Sequence, residues 1–273
     1  MTDHMITGGG GVRLHVREAG NPHGRPVLFI HGYSQSFLSW IGQLGARRLD
    51  GPLRLLAMDL RGHGLSGKPP GVYTDSGLWA DDVQAVISTL GLDRPVLVGW
   101  SYGGLVICDY LRFHPDTPLQ GIEFVCPWTT LGTPAAQQEI SSAVFALVPG
   151  LTSNTVGTAV AAVSDLIGLA FEKPLAAEPH FRTLGFNLVV PPNVRADLLD
   201  RTLDNNDVLA QLQVPVLVTQ GAKDRILAPE ASRQLAERIP GATLSVYPGA
   251  GHAPFVDNPG RFNRELRHFV LDG

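Results

Sequence analysis

The sequence predicts an α/β fold: a mostly parallel sheet wrapped by helices, with a helical segment inserted into it. Three observations point that way. Short apolar runs alternate with amphipathic stretches, a glycine-flanked serine joins one such run to the next helix, and a single long stretch breaks the rhythm. The chain has 273 residues, 44% of them hydrophobic and 17% charged. That is long enough to bury a large core, and too apolar for a disordered polymer.

The elements follow in order. Two polar–apolar alternations flank the glycine run at 8–11 and read as an opening antiparallel hairpin. Val27–Ile30 is the first apolar run. Others follow at Leu53–Met58, Pro95–Val98, Ile122–Val125 and Val214–Thr219, with a less apolar one at Ala242–Tyr247. Runs of this kind, rather than alternating ones, suit strands covered on both faces. Amphipathic segments at Ser76–Leu90, Tyr102–Phe113 and Pro229–Ile239 read as helices between them, and Arg261–Leu271 as a closing helix.

Between Val125 and Val214 no run reads as a strand. Residues 127–208 hold eight acids and four bases, so this segment accounts for the whole net charge of −4. Its first half is apolar, with only Glu139 and Asp165 charged before Glu172. Its second half is acidic, ending in Asp197, Asp200, Asp204 and Asp207. The expectation is a core of residues 1–126 and 209–273, with 127–208 as a helical cap inserted after the sixth strand.

Composition also excludes. No basic cluster occurs, so a nucleic-acid partner is not expected. The longest charge-free stretch, between Glu139 and Asp165, is broken by Pro149-Gly150 and Thr152-Ser153-Asn154-Thr155, which argues against a membrane span. The N-terminus has neither a basic start nor an apolar run, so no secretory signal is expected. Two cysteines, Cys108 and Cys126, cannot build a disulfide framework. A reduced, cytoplasmic setting fits better. They also lack metal-ligand spacing with any histidine, so neither a metal nor an organic cofactor is expected. The oligomeric state leaves no mark on the sequence.

Gly99-Trp100-Ser101-Tyr102-Gly103 matches the pattern G-x-S-x-G, preceded by a strand run and followed by a helical one. A serine on such a tight turn exposes its hydroxyl, and flanking glycines let the neighbouring backbone pass. The following helix directs its positive end at the site. Ser101 is therefore the candidate nucleophile. A serine needs a base. Of nine histidines, His252 stands in a glycine-rich loop between the last strand and the last helix, where the carboxyl edge of the sheet should lie. Asp224, after the strand Val214–Thr219, would orient it. The rival acid position, after Ile122–Val125, reads Cys126-Pro127-Trp128 and holds no acid. His31-Gly32-Tyr33 follows the first buried strand. The amides of Tyr33 and Tyr102 would form a two-donor oxyanion hole. His31 reads as scaffold, Asp59–Ser66 as a packed loop, and His63 within it as a runner-up base. Trp128 would line a substrate pocket or else be a core or cap-packing tryptophan.

These motifs (His31-Gly32, Asp59–Ser66, the Ser101 elbow, Asp224 and His252) make the chain resemble the α/β-hydrolase superfamily over nearly its whole length; only the cap is unmatched. Small esterases and cofactor-free, haloperoxidase-like hydrolases are the nearest in pattern. The resemblance implies a mostly parallel eight-stranded sheet, whose first hairpin supplies the antiparallel strand, and a Ser-His-Asp triad. Haloalkane dehalogenases and epoxide hydrolases carry aspartate where Ser101 stands, and epoxide hydrolases also use cap tyrosines, which this cap lacks. Haloperoxidase-like members usually have Met after the serine; Tyr102 here argues against efficient peracid formation. The expected activity is hydrolysis of a small, mostly apolar ester or lactone. The alternatives are a slow-turnover ligand sensor of the same fold, or a carbon–carbon bond hydrolase using the same triad.

Overall fold

The computed structural model describes every residue from Met1 to Gly273. The opening hairpin is β1 (Thr2–Thr7) and β2 (Arg13–Gly20), antiparallel and in register from Thr2 opposite Glu18 to Thr7 opposite Arg13. β3 (Arg25–Ile30), β4 (Leu53–Met58), β5 (Val96–Trp100) and β6 (Gly121–Val125) follow. After a long excursion come β9 (Val216–Gly221) and β10 (Thr243–Tyr247). The spatial order is β1-β2-β4-β3-β5-β6-β9-β10. β2 runs antiparallel to both its neighbours, and the remaining pairs are parallel.

Every residue of β5, β6 and β9 is buried, as strands covered on both faces must be. β10 is an edge strand, so it buries less, which accounts for its weaker apolar pattern. Two polar residues interrupt the runs read as apolar. Arg54 of β4 pairs with Glu18 of β2 at 2.8 Å. Glu123 of β6 is fully buried and accepts a 2.8 Å bond from Thr219 Oγ1.

Helices Ser76–Thr89, Gly103–Phe113, Pro229–Arg238 and Pro259–Asp272 lie where the amphipathic segments do. Asp75 caps the first by accepting the Gly77 amide, and Asn258 caps the last by accepting the Arg261 amide. Pro229 and Pro259 open their helices at positions whose N–H would have no partner anyway.

Between β6 and β9 lie helices Pro134–Glu139, Ser142–Leu151, Val156–Ala170, Ala177–Leu188 and Pro192–Leu199. The excursion also contains two strands that the sequence reading lacks. β7 (Thr130–Leu131) and β8 (Leu203–Asp204) pair antiparallel where the excursion leaves and rejoins the sheet. Two-residue strands carry no periodicity, so nothing marks them in the sequence. The apolar core is continuous, running from Leu14 of the hairpin through the sheet to Val163 and Leu198 of the excursion. No helix is long and apolar enough to cross a membrane.

Candidate active site

The candidate site lies at the carboxyl edge of the parallel strands, where open α/β sheets form their crevices. β5 delivers Ser101. Its φ of 54° is left-handed, a conformation costly for any residue but glycine. The flanking glycines sit where a side chain has no room. A Cβ on Gly103 would sit 2.5 Å from the Ile30 carbonyl oxygen, and one on Gly99 would sit 2.8 Å from the Gly103 carbonyl oxygen. The turn is held on both sides: Ser101 N donates to Val125 O at 3.0 Å, and Ser101 O accepts from Gly104 and Trp128.

β9 and β10 deliver the other two residues. His252 Nδ1 lies 2.7 Å from Asp224 Oδ2. A carboxylate accepts, so the imidazole presents its N–H there and leaves Nε2 free as a base. Asp224 is fixed in turn. Its Oδ1 accepts the amides of Ile226 and Leu227 at 2.8 and 3.0 Å, and its Oδ2 also accepts from Gln220 Nε2. Burial pushes the Asp224 carboxyl up, but His252 and these two amides outweigh it and hold it below the ordinary aspartate value. Trp100 Nε1 donates to the His252 carbonyl at 2.8 Å and ties the histidine loop to the strand that carries Ser101. Nothing in the sequence marks Trp100 for that task beyond its place beside the serine.

Ser101 and His252 both open onto a cavity of about 430 Å³. No hydrogen bond joins them; such contacts are often loose before substrate binds. Tyr33 also lines the cavity. The amides of Tyr33 and Tyr102 have no acceptor within the protein. A buried amide left idle is uncommon. Tyr102 follows Ser101 directly, and a Cβ on Gly32, the residue before Tyr33, would sit 3.0 Å from Ser101 Cβ, so both tyrosines lie beside the serine.

The remaining candidates separate cleanly. His31 is scaffold: its Nδ1 donates to Gly32 O and its Nε2 accepts the Leu60 amide. His63 is fully buried, bonded through Nδ1 to Arg61 O, and burial pushes it down to about 3. It does not reach the cavity. The loop around it is packed on Asp59, whose carboxylate takes the amides of Phe37 and Leu65 and the ring of His15. Trp128 lines the cavity and packs against Tyr102 with centroids 6.2 Å apart.

Residues the sequence reading left out include Gln35, Phe171 and Ile226, which complete the cavity wall. Cys126 is another. Its sulfur lies within 4.8 Å of the Asp224 and His252 ligand atoms, the grouping here with elements suited to a metal ion. Asp224 and His252 are already engaged with each other, however. Burial also keeps the Cys126 thiol strongly protonated, so the trio suits a proton-transfer pair backed by a thiol better than an ion.

The model of the alpha/beta hydrolase family matches residues 27–265. The chain belongs to that family. It is a hydrolase of the α/β fold. The solved esterase RhEst1 from Rhodococcus sp. ECU1013 superposes with a TM-score of 0.92 at 35% identity, covering 99% of this chain and 98% of that one. The AB hydrolase superfamily protein YisY of Bacillus subtilis (strain 168) is 29% identical, over 94% of this chain and 95% of its own. The bifunctional esterase/perhydrolase DCH of Acinetobacter calcoaceticus is 27% identical, over 97% and 98%.

Proposed function

We propose that this hydrolase cleaves small, mostly apolar carboxylic esters or lactones through an acyl-enzyme on Ser101. The observation that carries the reading is the pairing, on the wall of an apolar cavity, of a histidine held 2.7 Å from Asp224 with a strained serine beside two tyrosines whose amides are idle. The esterase and perhydrolase relatives agree with it. His252 Nε2 takes the hydroxyl proton as Ser101 Oγ attacks the carbonyl carbon. Asp224 stabilises the imidazolium that forms. The Tyr33 and Tyr102 amides receive the oxyanion, and the positive end of helix Gly103–Phe113 adds to their field. Collapse expels the alcohol, which takes its proton from His252. Water then repeats the sequence to release the acid. Residues 127–208 act as a cap, since most of the cavity wall comes from their apolar first half.

A fluorophosphonate probe tests the reading. An activated serine attacks phosphorus as it attacks carbonyl carbon, so peptide mapping is expected to find the adduct on Ser101, and Ser101→Ala to abolish both labelling and turnover. An adduct elsewhere, or activity surviving in Ser101→Ala, overturns it. Tight ester binding without turnover would favour a ligand sensor instead.

A further inference from the structure

The two tyrosines whose amides flank Ser101 share a second property. Both carry their phenols to the same cap helix, Pro192–Leu199. Tyr33 Oη donates to Arg195 O at 3.1 Å, and Tyr102 Oη donates to Leu198 O at 3.0 Å. Resting on the function proposed above, we propose that this helix is a clamp that sets the position of both oxyanion donors, with the Tyr33 and Tyr102 hydroxyls as positioning groups.

The bonds are not incidental surface contacts. Both tyrosines are buried. Leu198 lies in the last helical turn, where no following amide reaches its carbonyl, so the phenol supplies a partner the helix itself lacks. The Tyr102 phenol oxygen also accepts from Arg201 Nη1 at 3.1 Å. Arg201 continues to Asp109 on the helix behind Ser101, at 2.7 Å, with both side chains sealed from solvent. Removing either partner of a sealed ion pair leaves a buried charge, so this chain of contacts resists distortion. It runs from the cap through the Tyr102 phenol to the helix that carries the turn.

Tyr33 needs its anchor for a separate reason. It lies in a loop, and the next residue, Ser34, has a left-handed φ of 60°. The cap restrains that loop at three successive residues. Besides the Tyr33 bond, Ser34 Oγ donates to Asn187 O at 3.3 Å and Gln35 Nε2 to Asn187 Oδ1 at 3.4 Å. A tyrosine has two side-chain rotations. With its hydroxyl pinned at one end and its ring packed, the backbone amide at the other end has little freedom. The two rings lie 6.4 Å apart, so each anchor supports the other.

The expected signature is kinetic. A misplaced donor weakens binding of the oxyanion and leaves binding of the neutral ester alone. Tyr33→Phe and Tyr102→Phe should each lower kcat about tenfold, a fraction of the loss when an oxyanion donor is removed outright. KM should stay within about twofold. Affinity for a trifluoromethyl ketone analogue, which forms the tetrahedral adduct, should fall by the same factor as kcat. Arg201→Lys, which keeps the charge beside Asp109, should show the same pattern more weakly and serves as second variant if Tyr102→Phe folds poorly. Unchanged kcat, or a loss of kcat with analogue affinity intact, overturns the clamp. Fluorophosphonate mapping of the wild type separates that failure from failure of the serine reading, because the clamp can be absent while Ser101 is still the labelled residue.

Discussion

Asp224 uses both carboxylate oxygens at once, one on two backbone amides and one on His252 and Gln220. The geometry therefore survives an isosteric exchange while the charge does not. Asp224→Asn should leave the fold in place and lower kcat by a factor on the order of 10³–10⁴, because an amide can favour the wrong imidazole tautomer and cannot stabilise the cation. Steady-state kinetics beside a circular-dichroism spectrum checks it; near-normal kcat would assign the role to another acid. Glu123 makes a different prediction. Burial pushes its carboxyl up to about 8, with Thr219 giving only one bond in compensation. The unfolded chain loses this proton near the ordinary glutamate value of about 4.3, whereas the folded chain keeps it to about 8. Across that window the native state binds more protons, so its stability falls as pH rises and levels off above it. Glu123→Gln should remove this part of the slope. Urea midpoints at pH 5 and pH 8.5 will show it, and parallel pH profiles for variant and wild type would refute it.

Elements repeat the lesson at larger scale. The turn at Ser101 depends on the strand and helix meeting closer than a side chain allows. Gly103→Ala would press a methyl group to 2.5 Å from the Ile30 carbonyl oxygen, which belongs to backbone and cannot swing aside. Overpacking of this kind costs about 1–3 kcal/mol, or several degrees of Tm in a chain this size. A thermal melt within a degree of wild type would show that the turn can relax. The same turn was legible in the sequence because its requirements fall on residue types: glycine where backbones touch, serine between, apolar residues before and after. Asp224 and His252 were legible for a related reason, since each follows a recognisable strand run. β7 and β8 were not, being too short for any pattern. Neither were the anchors of the two tyrosines. Arg195 and Leu198 contribute carbonyl oxygens, which every residue has, so no choice of side chain records the contact.

At the scale of the whole molecule, the sheet carries Ser101, Asp224 and His252 at its carboxyl edge and the excursion supplies most of the cavity wall. The cavity draws Leu131, Val144, Val148, Leu166 and Ile167 from the apolar first half of the excursion, and sixteen of its 24 lining residues are hydrophobic. None of the 24 is Asp, Glu, Lys or Arg. Arg182, in the adjoining cleft, is already paired with Glu178 at 2.8 Å. A substrate carboxylate would therefore enter without a partner, and an unpaired buried charge is costly. An acyl chain meets the opposite condition. Each methylene buried contributes roughly 0.8 kcal/mol. Two of them, going from acetate to butyrate esters, would give about tenfold in kcat/KM if fully enclosed. The cavity is open at one side, so part of that gain is lost to solvent. The expected outcome is a several-fold rise in kcat/KM from acetyl to butyryl p-nitrophenyl esters, and a fall when the acyl chain ends in a free carboxylate such as succinyl. Val148→Asp, which places a charge in the wall, should flatten the chain-length dependence while fluorophosphonate labelling of Ser101 persists. Equal rates for acetyl and butyryl esters, or preference for the succinyl ester, would mean that the acyl group lies outside this cavity and that the apolar half of the excursion serves only to pack on the sheet.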